Sequence, residues 1–367
     1  MKRLLLLGAL VFTFSAQVLA QVGDEELTPE EKAYKDSIAA LNETNAAIAA
    51  SQEAYNKGNE LFKAKNYNSA IAQFALSIKS DPNFTAAYYN KGIAENEAGK
   101  YAQAVKTMDV LIQKKPMYSK AYFQRGRAYQ GTKDYLKAEK DYEKAVSLDP
   151  KNPKAHYNFA TLKFLQQDYD GAIKGFTKAI ELNGEFANAY NDLGSCYRMK
   201  GKYAEAIKNY EIASRKNPKS AYILNNIGTT KKKMKDFEGA IAAFNRAISI
   251  DGNFYLAYNN RGTVEFEQGR LDDAIDDYKK AISIKSDYSP AFSNMSAAKF
   301  KKKDYKGAET AATKAININK EYANAYVNRG IAREMLRNMD GACKDWSKAN
   351  ELGAPYGKKY YSGNCGF

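Results

Sequence analysis

Residues 119–152 read SKAYFQRGRAYQGTKDYLKAEKDYEKAVSLDPKN. Tyr122, Arg125, Gly126 and Tyr129 fall at i, i+3, i+4 and i+7, the spacing of one helix face. Gly131 and Asp134 mark a turn, after which Tyr135, Ala138, Tyr142 and Ala145 carry the stripe onto a second helix. Pro150 ends that helix, because proline lacks the amide donor and clashes with the preceding turn. The stretch is therefore two short helices folded against each other. Gly126 and Ala138 are small enough to let them approach, and Tyr135 closes the turn over them.

The same pattern recurs on either side at a spacing of 34 residues. Ala70, Ala104, Ala138, Ala172, Ala206, Ala240, Ala274, Ala308 and Ala342 hold one place without a slip. A large residue precedes each by three positions, from Tyr67 to Met339, and a small one stands earlier still, from Gly58 to Gly330. One helix pair cannot bury its own apolar stripe, so each unit must lean on its neighbours, and a fixed period of this length means a solenoid. The fold class is all-α.

In these residues the chain resembles the tetratricopeptide repeat family. The shared features are the eighth-place Gly, the twentieth-place Ala, a ring at the twenty-fourth (Phe74, Tyr142, Phe176, Tyr210, Phe244, Tyr278, Trp346), the twenty-seventh-place Ala and a Pro near the end (Pro82, Pro116, Pro150, Pro218). Nine repeats fit, starting at 51, 85, 119, 153, 187, 221, 255, 289 and 323 and covering residues 51–356. The resemblance implies an α-solenoid of helix-turn-helix units in a right-handed superhelix, one long domain that no insertion interrupts. Met108 and Ala312 replace the ring, Leu111 replaces a small residue, and Ser286 and Lys320 replace the Pro, so looser packing is expected at repeats two and eight.

Outside the array, Met1–Ala20 has a basic start (Lys2, Arg3), an apolar run to Phe14, and Val18 and Ala20 where a signal peptidase reads. It reads as a cleavable secretory leader rather than an anchor, predicting a periplasmic or secreted protein that begins at Gln21. No later stretch is apolar enough to span a bilayer. The net charge of +14 falls by two with the leader and still favours anionic partners; an exported compartment disfavours nucleic acid. Lysine clusters at Lys231, Lys232, Lys233, Lys235 and at Lys299, Lys301, Lys302, Lys303 close two first helices, where cations are favoured by the helix dipole. Residues 21–50 form a linker and capping helix: Thr28-Pro29-Glu30-Glu31 is a capping box, and no Gly or Pro follows before Gly58. Tyr34, Ile38, Leu41, Asn45, Ile48, Gln52 and Tyr55 make a short heptad, so the 29–55 helix caps the first repeat, seats a partner helix or pairs with a second copy, the first being the favoured reading.

Cys196 reads as a small buried residue. The segment Gly341–Gly353 with a Cys shortly after it looks like the closing unit of many exported bacterial tetratricopeptide proteins. That resemblance implies a Cys343–Cys365 disulfide, formed as the 357–367 tail folds back over the last repeat; two unpaired thiols are the alternative.

The family's concave surface is lined by the second, fifth, sixth, ninth, twelfth and thirteenth places of each first helix. The sixth place gives a ladder: Asn56, Asn90, Gln124, Asn158, Asp192, Asn226, Asn260, Asn294 and Asn328. Amides donate and accept, so such a ladder can hold an extended peptide by its main chain, as some relatives do, or can brace neighbouring helices. Tyr55, Tyr89, Phe123 and Tyr157 at the fifth place give repeats one to four an aromatic wall, while Asn191, Asn225, Asn259 and Ser293 leave the later repeats polar; the primary site is placed in repeats one to four. Some relatives clamp a C-terminal carboxylate. Asn59, Asn90 and Lys120 match that clamp, but Tyr55 and Gln124 stand where two more cations belong, with Arg127 a partial substitute.

Nothing points to catalysis. A lone His156 in a place held elsewhere by rings reads as a packed core residue and leaves no zinc set or Ser/His triad. No phosphate-binding Gly loop or Cys-x-x-Cys appears. Asp272, Asp273, Asp276 and Asp277 crowd one helix, where lysines balance them. The sequence predicts an exported, cofactor-free scaffold that binds a protein or peptide in its groove; docking on an anionic envelope polymer through the basic surface is the alternative, and an enzyme the remote one.

Overall fold

The computed structural model describes residues 28–365, so the leader reading lies outside the described residues. Those residues form nineteen helices and no strand. The first runs unbroken from Pro29 to Lys63; Thr28 Oγ1 accepts from the Glu31 amide at 3.3 Å and Glu31 returns a carboxylate to the Thr28 amide at 2.9 Å. Its part before Ser51 is largely exposed, with Leu41 and Ile48 each more than half accessible. From Ser51 onward it is the first helix of repeat one.

Every repeat pairs a first helix with a second that starts at the seventeenth place, for example Ser119–Gly131 with Tyr135–Leu148. The small eighth place is required by close approach: a Cβ on Gly126 would stand 2.9 Å from the Tyr142 ring. Tyr142, Phe74, Phe176, Tyr210, Phe244, Tyr278 and Trp346 are accordingly almost wholly buried. The expected looseness at repeats two and eight is corrected. Met108 and Leu111 are completely buried, with the Met108 side chain against Gly92. In repeat eight Ser296 and Ala312 are both completely buried, and Ser296 donates to the Ala308 carbonyl at 2.7 Å.

The turn reading also needs one correction. Gly131 ends a helix, and the left-handed residue is Lys133 at φ 63°. Gly131 is small for another reason, since a Cβ there would lie 2.5 Å from the Tyr101 ring of the preceding repeat. The fifteenth place is left-handed in repeat after repeat, held by Gly99, Gly201 and Gly269 in three and by Lys65, Lys133, Gln167, Lys235, Lys303 and Arg337 in the others. Asp134 caps the second helix, as read, by accepting from the Lys137 amide at 3.2 Å.

His156 is not a core residue. It is half-buried, and its Nε2 lies 3.0 Å from the Pro150 carbonyl, which can only accept, so Nε2 carries the proton. It does what Tyr122 and Tyr326 do at the same place, whose hydroxyls donate to the carbonyls of Pro116 and Lys320. Cys196 is buried, and burial pushes its thiol up to about 12.

The described residues fall into two compact units, up to Leu162 and from Lys163 onward. Contacts that run only between neighbouring repeats supply no single core to prevent such a division. Within the second unit, Pro355–Asn364 forms a closing helix, starting two residues before the expected tail. Tyr360 stacks on Trp346 with ring centroids 5.3 Å apart, and Cys343 is joined to Cys365 across a Cα separation of 5.7 Å.

Candidate peptide groove

The ladder's amides are engaged between helices. In repeats six to nine, each sixth-place Asn donates to the fifth-place residue of the repeat before: Asn226 to Asn191 at 3.0 Å, Asn260 to Asn225 at 2.9 Å, Asn294 to Asn259 at 3.0 Å, and Asn328 to the Ser293 hydroxyl at 3.0 Å. Asn191, Asn225, Asn259 and Ser293 are buried. The polar later groove is thus a set of braces closed upon itself. In the first unit Asn90 works similarly, donating to the Tyr55 hydroxyl at 3.0 Å and to Asn59 Oδ1 at 2.7 Å. Asn56 is exposed and bonded to Gln52 along its own helix.

The brace needs an acceptor at the fifth place, and Phe123 has none. Asn158, in the repeat that follows, turns back to the Lys154 carbonyl of its own helix at 2.8 Å. Beside this break lies a cleft of about 470 Å³ lined by Asn96, Glu97, Tyr101, Arg127, Gln130, Gly131 and Asn158. Gln124 is buried and its carboxamide oxygen takes Asn96 at 3.3 Å and Arg127 at 3.2 Å. Arg127 also meets Glu97 at 3.0 Å. Asn96, Glu97 and Gln130, at groove places twelve and thirteen, carry no mark of their own in the sequence pattern, and Tyr101 reads there only as a large seventeenth-place residue; the fifth-place Phe123 is the signal that the ladder opens there.

Tyr55, Tyr89, Phe123 and Tyr157 are half-buried, each with part of its surface still accessible. Tyr55 packs on Phe84 and Tyr89 on Tyr118, at ring centroid distances of 4.8 and 5.6 Å. Burial raises the Tyr89 hydroxyl above the ordinary tyrosine range. The carboxylate clamp is not assembled: Asn59 and Tyr55 are both taken up by Asn90, Gln124 is buried, and Lys120 is exposed.

Half of the lysines in the two clusters are paired with carboxylates on the surface. Lys231 pairs with Asp236, Lys232 with Glu267, Lys299 with Asp304 and Lys302 with Asp272, while Lys301 lies 4.9 Å over the Phe266 ring. The four crowded aspartates are partnered in turn: Asp277 by Arg261, Asp276 by Lys279, Asp273 by Arg270 and Asp272 by Lys302. Among the described residues, no group of three or more His, Cys, Asp or Glu gathers to hold a metal, and no helix is long and apolar enough to cross a membrane.

Four models of the tetratricopeptide repeat match the chain, over residues 55–120, 119–152 with 255–288, 141–174 and 185–252. The chain belongs to the tetratricopeptide repeat family. No curated protein matches this tetratricopeptide chain. Among solved structures it is similar to a chain of the APC/C hetero-tetramer Cut9-Hcn1, with a TM-score of 0.54 and 18% identity over 85% of this chain and 60% of that one. A tetratricopeptide repeat protein from Parabacteroides merdae ATCC 43184 matches with a TM-score of 0.56 and 18% identity, over 66% and 97% of the two chains. Pseudomonas aeruginosa PilF matches with a TM-score of 0.51 and 15% identity, over 57% and 96%. At these identities the likeness is one of fold.

Proposed function

We propose that this tetratricopeptide protein is an exported, non-catalytic scaffold that holds an extended protein or peptide segment along repeats one to four. The observation that carries the reading is the contrast between the two sets of fifth-place residues. The rings of Tyr55, Tyr89, Phe123 and Tyr157 keep accessible surface, whereas their polar counterparts Asn191, Asn225, Asn259 and Ser293 are buried in braces. Rings offer apolar contact area at low conformational cost, and the break at Asn158 leaves polar groups beside them. Export rests on the Met1–Ala20 pattern and predicts a mature N-terminus at Gln21, checked by N-terminal sequencing of the secreted fraction.

The test is capture of partners from an envelope extract by the mature chain, repeated at low and high salt. Groove binding through rings and amides persists at high salt, and Tyr89→Ala with Phe123→Ala abolishes it. Capture that collapses with salt and is indifferent to both substitutions transfers the function to the basic surface, because exposed charges are screened beyond about 10 Å at 0.1 M salt.

A further inference from the structure

The break in the ladder does more than leave a gap. We infer that the cleft between Asn96, Arg127, Gln130 and Asn158 is a subsite for an acidic side chain, Asp or Glu, of the segment bound in the groove; the inference rests on the groove reading proposed above.

Each wall of the cleft contributes a defined group. Gln130 takes the Tyr142 hydroxyl on its carboxamide oxygen at 2.8 Å, which fixes the amide and leaves both its N–H groups for a ligand. Asn158 gives one N–H to Lys154 and keeps the other. Arg127, a third exposed, is the lining cation. The cleft therefore presents a guanidinium and two amide donors, a set suited to a carboxylate.

The chain already displays the expected ligand, since the carboxylate on Arg127 is its own Glu97, held at 3.0 Å. Glu97 belongs to the preceding repeat and is about one third exposed, so an incoming acid can take its place without uncovering anything buried. A doubly charged phosphate fits less well, because Arg127 is the one lining cation and balances a single negative charge. Asn96 argues for a peptide acid over a free anion. It is 5% exposed, donates its amide N–H to the Gln124 main-chain carbonyl at 2.9 Å, and has a carboxamide oxygen without a donor among the described residues. An acidic residue in an extended chain brings a main-chain N–H together with its carboxylate. The chain's net charge of +14 favours acidic segments at longer range.

The test uses the mature chain on an array of nonapeptides with acetylated N-termini and amidated C-termini, and on a second array with free C-termini. The expected result is capture of capped sequences with Asp or Glu at one fixed register, preferred over Asn or Gln there by about tenfold, as charged hydrogen bonds warrant. Arg127→Ala removes the preference while capture through the rings persists. Glu97→Gln increases capture of the acidic sequences several-fold, since the internal competitor is gone, and this variant leaves the helix pairs untouched. Capture with no acidic register, or with unchanged preference in both variants, overturns the subsite and leaves the groove reading standing. Capture confined to free C-termini reassigns the cleft to a terminal carboxylate and overturns the side-chain assignment. No capture on either array overturns the groove reading and the subsite with it.

Discussion

Replacing Asn226 by Ala and, separately, Asn158 by Ala removes the same side chain from equivalent places of two repeats, yet the structure predicts different costs. Asn226 is 5% exposed, and its amide is the donor to Asn191 Oδ1 at 3.0 Å. Asn191 is itself buried and directs its own amide to Asp192 at 2.9 Å. Deleting Asn226 therefore leaves a buried acceptor without its donor, which costs about 1–3 kcal/mol. Asn158 is half-buried and bonded only to the Lys154 carbonyl of its own turn, so its removal falls within about 0.5 kcal/mol. Global melting is a poor measure here, because long repeat arrays lose two-state cooperativity. Native-state hydrogen exchange on the amides of Ala221–Lys233 and Pro153–Leu165 reads each site locally. Asn226→Ala should raise the exchange of its helix roughly tenfold or more, against a change of about twofold for Asn158→Ala in its own. Equal effects at the two sites would refute the claim that the ladder is a brace interrupted at Phe123.

Glu265 provides a pH test. Burial, and then the neighbouring Asp277, raise its carboxyl from 4.5 to about 7. A carboxyl raised in the folded state holds its proton after the unfolded chain has lost it, so stability should fall as pH climbs from about 4.5 to 7, and Glu265→Gln should flatten that part of the profile in denaturant titrations. The Cys343–Cys365 bridge closes a 22-residue separation and should contribute roughly 3 kcal/mol to holding the closing helix; Cys343→Ser should change Trp346 fluorescence by releasing Tyr360, and unreduced peptide mapping that finds both thiols free would remove the bridge. At the left-handed turns, Gly201→Ala should destabilise by about 1–2 kcal/mol, whereas Lys235→Gly should be neutral or mildly stabilising, both read by native-state hydrogen exchange of the helices that flank each turn.

The array was legible because its period is enforced by sterics at every repeat. A ring at the twenty-fourth place needs a small residue at the eighth, so Gly126 and Tyr142 constrain each other in the sequence as they do in space. Turn chemistry was only half legible. Asp134 announces its cap, but Lys133 carries no mark of a left-handed backbone, and Gly131, which looks like the turn, is small because of a ring thirty residues earlier. Substitutions in the core mislead for a related reason: Met108 stands in the pattern as a missing ring, whereas an unbranched thioether can fill the same space against Gly92.

The candidate site was the least legible, since its meaning lies in pairs of residues from different repeats. An Asn at the sixth place has the same letter whether it braces or faces a ligand. What separates Asn158 from Asn226 is the residue 35 positions earlier, Phe123 in one case and Asn191 in the other. Reading the fifth place as a wall and the sixth as a ladder treats the two columns as independent, when each sixth-place amide is answered by the fifth-place acceptor before it. Once the columns are read diagonally, a fifth-place phenylalanine in an array of this kind marks where the next amide is released from bracing. In this chain that position falls among the accessible rings and beside Arg127, so a departure from the bracing rule coincides with the surface on which the proposed groove rests.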